Sequence, residues 1–234
     1  MKDFTAYSRT MRDYYDHSDN PVHSQSAPEH LSNLEEAYRT SGHWLREAAL
    51  AMQEILRERR VLEVACGHGR WSLFAADTAE QITATDASPR LLAVARRLAE
   101  LKGVPSNRLR FAEADAFHLA AISGRFNAGL VMNFFQHIPI ARHSEFLTGL
   151  HRKIGAGVVF MGANRFSEGS KARLVSKPGE PDTYDLRHRP DGTTYEIIDN
   201  DFSPDDLWEI LRPFSHGLTI AMNDHWWWLH YGVH

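Results

Sequence analysis

Apolar and polar positions alternate with two different periods along the chain, and this pattern predicts its elements. Between residues 58 and 164, short apolar segments are separated by longer segments with helical features. Ser88-Pro89, for example, supplies an N-cap and a first-turn proline for one such helix. Strands that alternate with helices at this spacing predict right-handed βαβ units and a parallel sheet. The predicted strands are VLEVA (61–65), QITATD (81–86), RLRFAEAD (108–115), FNAGLVMN (126–133) and GVVFMGAN (157–164).

The segments on either side have other patterns. The segment before residue 58 has the apolar spacing of a helix. Residues 165–200 are polar, and Pro190-Asp191-Gly192 predicts the turn of a β-hairpin. Ser203-Pro204 begins another helix. Two neighbouring antiparallel strands are then predicted from LTIAMN and WWWLHYGV.

The elements together predict one α/β domain. We expect a doubly wound, Rossmann-like sheet of seven strands, mostly parallel with an antiparallel last strand, together with N-terminal helices and a hairpin insertion. Within a single domain of residues 1–234, we predict four parts in chain order. They are an N-terminal helical cap (1–57), a ligand-binding core (58–164), a substrate-side hairpin insertion (165–202) and a closing helix with two strands (203–234).

Composition narrows the class of protein. A chain of 234 residues with 43% hydrophobic and 24% charged residues is typical of a globular protein. Its one cysteine rules out an internal disulfide framework, and no apolar run reaches the ~18 residues that cross a bilayer. We therefore expect a cytoplasmic protein without a membrane partner. The net charge of −4, with no clustered basic face, also argues against a nucleic-acid partner.

Two acids stand at predicted strand ends, where ligands of an open parallel sheet bind. Asp86 ends the second strand, and a carboxylate there accepts the hydroxyl protons of a ribose in any adenosine ligand. Asp115, at the end of the third strand, is placed to accept a hydrogen bond from the exocyclic amine of adenine. Each acid also has a structural interpretation, because Asp86 would serve in a turn and Asp115 as a helix N-cap.

The loop after the first strand reads Ala65-Cys66-Gly67-His68-Gly69. Glycines in such a loop allow a ligand to approach the backbone closely. This loop lacks the first glycine of a dinucleotide fingerprint, and Ser72 stands where the third would be. A dinucleotide needs a loop and a helix N-terminus that cradle a pyrophosphate, so the departure favours a nucleoside ligand without phosphate.

Four motifs therefore occur in order at the strand ends: EVACGHG (63–69), Asp86, Asp115 and FNAGLVMNFFQHIP (126–139). Together they resemble the motifs of class I S-adenosylmethionine-dependent methyltransferases of the small-molecule type, over about residues 58–164. The resemblance implies S-adenosylmethionine as cofactor and methyl transfer to an oxygen or nitrogen of a metabolite. One departure is Ala65, where many members of the family carry glycine.

The resemblance also implies the roles of single residues. Glu63 and the loop to Gly69 would hold the methionine end of the cofactor, Asp86 the ribose, and Asp115 with its neighbour the adenine. Asn133 would line the cleft beside the sulfonium. The implied cofactor residues are Glu63, Ala65, Gly67, Gly69, Asp86, Ala87, Asp115, Ala116 and Asn133.

His137 is the candidate catalytic base. It lies four residues after Asn133 and just before Pro139, at the rim of the predicted cleft. A histidine titrates near neutral pH and accepts a proton from a hydroxyl or amine as the new bond forms. Some small-molecule members of the family have a histidine in a similar place. The alternative is a structural histidine bonded to backbone near a helix start.

Aromatic and polar residues around the cleft are candidates for substrate contact. Phe134 follows the fourth strand, and Tyr14 and Tyr15 belong to an N-terminal segment that could fold over the cleft, where aromatic faces attract a sulfonium. Plain core packing is the alternative for each ring. The insertion, placed to cap the cleft, adds Arg165, Tyr184, Arg187 and His188.

The histidines give no metal-binding pattern. His225, His230 and His234 are spaced five and four apart, which suits no shared site on a strand, while His17, His23 and His30 lie in a loose polar segment. We expect no metal, and a monomer or a homodimer. Two alternatives to a methyltransferase stay open at this point, a nicotinamide-dependent oxidoreductase and a non-catalytic sensor that binds S-adenosylmethionine.

Overall fold

The computed structural model describes residues 4–16, 43–165, 173–189 and 191–234, which form two sheets and surrounding helices. The strands are β1 Arg60–Val64, β2 Gln81–Asp86, β3 Leu109–Glu113, β4 Ala128–Met132, β5 Val158–Asn164, β6 Leu174–Ser176, β7 Thr183–His188, β8 Thr194–Ile198, β9 Ser215–Met222 and β10 Trp226–Val233. The α-helices are α1 Phe4–Asp16, α2 His43–Ile55, α3 Arg70–Ala75, α4 Pro89–Lys102, α5 His143–Ile154 and α6 Pro204–Leu211.

The larger sheet has seven strands in the order β3-β2-β1-β4-β5-β10-β9. The pairs among β1 to β5 are parallel, and β10 is antiparallel to both β5 and β9. This confirms the predicted Rossmann-like sheet with an antiparallel last strand. The order reverses between β1 and β4, so a cleft opens beyond the carboxyl ends of these two strands.

Helices cover both faces of this sheet, and alternate residues of each strand belong to opposite cores. Val61 belongs to the core that α2, α3 and α4 complete, whereas Leu62 belongs to the core that α5 and α6 complete. In the same way, Trp226 is buried in the first core and Trp227 in the second. Trp228 is half-buried and stacks on Phe160, so packing accounts for the three tryptophans.

The insertion forms a second sheet in the order β6-β7-β8, with both pairs antiparallel. The predicted hairpin is present as β7 and β8, and Gly192, at φ +86°, lies in its turn. The third strand, β6, is a difference from the prediction. It spans only three residues and has too short an apolar pattern to be found in a sequence.

Two further expectations concern the chain outside the central sheet. The α-helix predicted before residue 58 is described over His43–Ile55, and α1 precedes it. No helix among the described residues is both long and apolar enough to cross a membrane.

Candidate active site

A cavity of about 940 Å³ lies at the carboxyl ends of the parallel strands. Its walls come from the loops after β1, β2, β3 and β4, from α1, and from β7 of the second sheet. Most of the predicted site residues line it. They are Tyr14, Tyr15, Ala65, Gly67, Asp86, Ala87, Asp115, Ala116, Asn133, Phe134, His137 and Arg165.

Three predicted residues lie outside this lining: Glu63, Gly69 and Tyr184. Gly69 has φ +79°, and a Cβ there would lie 2.9 Å from the Cβ of Ala95, so its glycine is required for packing against α4. Tyr184 is buried, and its hydroxyl donates to Glu180. It is adjacent to Asp185 on β7, and adjacent strand residues face opposite sides, so Asp185 lines the cavity in its place.

The loop after β1 is built around left-handed backbone positions. Ala65 has φ +56° and Gly67 φ +57°. This conformation costs a residue with a Cβ roughly 1–2 kcal/mol, which explains why glycine suits the position of Ala65. Cys66 ties the loop to β2, because its backbone N–H donates to the carbonyl of Thr85 at 2.9 Å. The loop therefore presents its backbone to the cavity in a fixed shape.

Asp86 joins the ends of β1 and β2. Its Oδ2 accepts from the backbone N–H of Gly67 and its Oδ1 from that of Ser88, each at 2.8 Å. Burial raises the pKa of Asp86, and the two backbone donors oppose that rise. The acid thus serves in a turn, as the structural interpretation expects, while it also lines the cavity at the strand end.

Glu63 is buried beneath this loop and receives a hydrogen bond from the hydroxyl of Ser72. Burial raises the pKa of Glu63 to about 8, and the bond from Ser72 partly opposes the rise. The side chain is therefore largely protonated at neutral pH. It supports the loop from below rather than lining the cavity.

The raised pKa of Glu63 predicts a pH dependence of stability. Its pKa is about 8 in the folded chain against an ordinary 4.5, so its stabilising contribution is complete below about pH 4.5 and is lost as the pH rises through 8. We expect Glu63→Gln to remove this loss. Urea unfolding at pH 5 and pH 8 measures it, with Glu80→Gln as the exposed control. Equal pH dependence in wild type and Glu63→Gln would contradict the assignment.

Asp115 and Asn133 occupy two further strand ends. The Oδ1 of Asp115 accepts from the backbone N–H of Phe117 at 2.8 Å, which forms a turn rather than the N-cap of a helix. Asn133 has φ +54°, and its Oδ1 accepts from the backbone N–H of Asn164 at 3.1 Å. Asn133 thereby joins the carboxyl ends of β4 and β5 beside the cavity.

Aromatic rings from two directions border the cavity. Phe134 also packs edge-on against Phe146 in the core, with ring centroids 5.8 Å apart. Tyr14 and Tyr15 come from α1, and their rings meet edge-on at 5.1 Å. Both side chains line the cavity, as does Tyr7 of the same helix, so α1 covers it.

His137 is buried at the cavity wall, in a 3-10 helix of residues Phe135–His137. Its Nδ1 lies 2.6 Å from the carbonyl oxygen of Ile198. Because a carbonyl only accepts, Nδ1 carries the proton and Nε2 is left as an acceptor. Nε2 lies 3.3 Å from the hydroxyl of Tyr15. Burial lowers the pKa of His137, although Asp199 opposes this, so the ring is neutral and basic at Nε2.

Arg187 is the centre of a buried ionic cluster next to His137. Its Nε donates to Asp185 at 2.9 Å, its Nη2 to Asp199 at 2.8 Å and its Nη1 to the Tyr15 hydroxyl at 3.3 Å. Sequence reasoning missed the two acids of this cluster. The only signal is the spacing of Asp185 and Arg187, which places both on one face of β7.

Arg165 also borders the cavity, but its side chain is engaged with neighbours. It lies 3.6 Å from Asp201 and donates to the backbone carbonyl of Asn223 at 2.8 Å. Within the described residues, no group of three or more metal-ligating side chains could hold a metal ion. His17, His23 and His30 lie outside the described residues.

Comparison with known proteins relates the chain to a family model and to several solved structures. Residues 61–157 match the family model described as a methyltransferase domain. No curated protein matches the sequence. Among solved structures, the chain is similar to the DhpI–SAH complex, with 19% identity, 97% of each chain covered and a TM-score of 0.70.

Two further similar structures are of named methyltransferases. One is the 1,6-didemethyltoxoflavin-N1-methyltransferase of Burkholderia thailandensis, with 16% identity, 100% of this chain and 91% of that chain covered and a TM-score of 0.57. The other is the magnesium protoporphyrin IX methyltransferase of Synechocystis PCC 6803, with 14% identity, coverages of 100% and 98% and a TM-score of 0.61. At these identities the likeness is one of fold. Residues 61–157 thus match a methyltransferase domain model, and the chain has the fold of solved S-adenosylmethionine-dependent methyltransferases.

Proposed function

We propose that this protein transfers the methyl group of S-adenosylmethionine to an oxygen or nitrogen of a small molecule, with His137 as the base. One observation carries the proposal. A single cavity is lined both by a nucleoside-type strand-end site and by a neutral imidazole whose Nε2 is an acceptor. The two neighbours named as methyltransferases of toxoflavin and porphyrin compounds support a small-molecule acceptor.

The residues present fit S-adenosylmethionine. A Cβ on Gly67 would meet no atom within 4 Å, so the backbone there is open to close approach. Asp86 provides a carboxylate beside that backbone for the ribose hydroxyls. Asp115 and Ala116 border the same cavity for the adenine, and Asn133 borders it for the sulfonium. A volume of about 940 Å³ lies within the range of sites that enclose small ligands.

The chain contributes to the reaction by alignment, exclusion of water and proton transfer. S-adenosylmethionine, when bound, supplies a methyl group on a cationic sulfonium for in-line displacement. The loop after β1 and Asp86 fix the position of the donor, and α1 covers the cavity, which keeps water from the reacting atoms. Nε2 of His137 is the final acceptor of the proton released in the reaction, because Nδ1 already holds one.

Calorimetry with three ligands tests the binding half of the proposal. We expect S-adenosylmethionine and its product S-adenosylhomocysteine to bind and NAD not to bind. The reason is that the loop lacks the glycine pattern that cradles a pyrophosphate. Binding of NAD without binding of S-adenosylhomocysteine would contradict the proposal in favour of a nicotinamide enzyme.

Asp86→Asn is expected to weaken S-adenosylhomocysteine binding by about 10–100-fold. Asparagine keeps one accepting oxygen but replaces the other with an NH2 group, which cannot accept from a backbone N–H. Hydrogen bonds to a charged group contribute about 1.5–3 kcal/mol each. Calorimetric titration gives the affinity. Asp77→Asn, an acid that pairs with Lys102 on the far side of α3, is the matched control. Equal affinities in both variants would remove Asp86 from the site.

A further inference from the structure

A hydrogen-bond chain of fixed direction ends at His137. The guanidinium of Arg187 only donates, so the Tyr15 hydroxyl oxygen accepts from it at 3.3 Å. The proton of Tyr15 is then directed to Nε2 of His137, also at 3.3 Å. His137 in turn donates from Nδ1 to the carbonyl of Ile198 at 2.6 Å. Each direction follows from a group at one end that can only donate and a group at the other that can only accept.

This arrangement places the Tyr15 hydroxyl within hydrogen-bonding distance of the basic nitrogen of His137. Tyr15 lines the cavity, and its ring meets that of His137 edge-on with centroids 6.3 Å apart. A substrate in the cavity that approaches Nε2 therefore contacts the Tyr15 hydroxyl first. A hydroxyl both accepts and donates, so Tyr15 is chemically able to take up a substrate proton as it gives its own proton to His137.

α1 holds Tyr15 at this position through contacts with both sides of the cavity. Tyr7, two turns earlier, donates to the backbone carbonyl of His137 at 3.0 Å. Asp13 accepts from the hydroxyl of Tyr195 on β8 at 2.7 Å. Asp16 accepts from the hydroxyl of Ser88, directly after the Asp86 site. The helix is thus fixed to the base, to the second sheet and to the cofactor side.

We propose that Tyr15 relays the substrate proton to His137. This inference rests on the proposed function. As the oxygen or nitrogen of the acceptor forms its bond to the methyl carbon and the carbon–sulfur bond breaks, the acceptor's proton passes to the Tyr15 oxygen. The hydroxyl proton of Tyr15 passes at the same time to Nε2 of His137. Tyr15 ends neutral, the sulfur ends neutral, and His137 ends as an imidazolium that releases its proton to solvent.

The charges around His137 suit this step. Asp199, which follows β8, places an oxygen 3.9 Å from Nδ1 and stabilises an imidazolium. Asp185 on β7 favours the same charge from farther away, while Arg187 on β7 opposes it. Among the described residues, the hydroxyl of Tyr15 on α1 contacts the ring, and that of Tyr7 on α1 donates to the backbone carbonyl of His137. Arg187 in turn stabilises negative charge that develops on the Tyr15 oxygen during the transfer.

Tyr15→Phe tests the relay, with a small-molecule cell extract as the source of acceptors. We measure transfer of the tritiated methyl group of S-adenosylmethionine to that extract as a function of pH. We expect Tyr15→Phe to lower the rate by about 10²–10³-fold and to abolish the fall in rate on the acid side that protonation of His137 causes. Affinity for S-adenosylhomocysteine is expected to stay at the wild-type value.

Two further variants make the result specific. Tyr195→Phe removes a hydroxyl that fixes the same helix but does not contact His137, and it should keep both the rate and the pH profile. In Tyr15→Phe combined with His137→Gln, the losses should not multiply, because both residues act in one transfer.

The outcomes separate the relay from the proposed function. If the wild type transfers methyl groups and Tyr15→Phe does so at the same or a higher rate, the relay is wrong and the proposed function stands. The relay is also wrong if the double variant loses the product of the two single losses. If the wild type binds S-adenosylhomocysteine but transfers no methyl group to the extract, the proposed function itself is wrong.

Discussion

Replacing His137 with glutamine is expected to lower the rate of methyl transfer by about 10²–10⁴-fold, the range typical of lost general base catalysis. Glutamine is able to retain a donor toward the carbonyl of Ile198, but it does not accept a proton at neutral pH. The affinity for S-adenosylhomocysteine should not change, because the loop after β1 and Asp86 do not depend on the imidazole. Steady-state turnover and calorimetry measure the two effects separately.

The pH profile of the wild type gives a second measurement of the same residue. Burial lowers the pKa of His137 below its ordinary 6.5, so the neutral, active form persists at pH 6.5. We therefore expect the rate to fall on the acid side only below that pH. His216→Gln, at an exposed position of β9, is the matched control and should behave as wild type. Unchanged turnover in His137→Gln would leave His137 a purely structural residue.

Arg187→Met is expected to lower the free energy of unfolding by about 3–5 kcal/mol. It leaves the buried carboxylate of Asp199 without its cation and leaves Asp185 with only the largely exposed Arg173, at 3.6 Å. Both acids are less than a tenth exposed, so water compensates them poorly. The melting temperature should fall by on the order of 10 °C. Urea and thermal unfolding measure the loss.

Two comparisons make this prediction specific to the buried cluster. Arg57→Met breaks an exposed pair with Glu54 and should cost less than about 1 kcal/mol. Adding Asp185→Asn and Asp199→Asn to Arg187→Met should recover part of the stability, since no uncompensated charge then remains buried. A loss in Arg187→Met no larger than that in Arg57→Met would show that the cluster contributes little to stability.

The fold was predictable because it rests on local patterns. Each parallel strand is a short apolar segment, and its boundaries follow from where polar residues resume. The strand-end residues Asp86 and Asn133 could be placed at the cleft for the same reason. The three-residue strand β6 could not be predicted, because it is defined by its pairing with β7 and not by its own pattern.

The chemistry of the site depended on contacts between distant residues. Tyr15 and His137 are 122 positions apart, and Arg187 is 172 positions from Tyr15, so no spacing in the sequence reveals their hydrogen bonds. Residue type predicts Tyr184 as a substrate contact, but it does not give the face of the strand, and Asp185 is the neighbour that lines the cavity. Glu63 is a second case in which the sequence does not reveal where a side chain lies, since its burial below the loop becomes apparent only in the structure.

The most direct test of the proposed function is transfer of a labelled methyl group. S-adenosylmethionine with a tritiated methyl group is incubated with the protein and a small-molecule cell extract, and the products are separated from the unreacted donor. We predict label in an O- or N-methylated small molecule, with an equal amount of S-adenosylhomocysteine formed, and loss of both in His137→Gln. Tight binding of S-adenosylmethionine with no labelled product would contradict a methyltransferase and favour a sensor of this ligand.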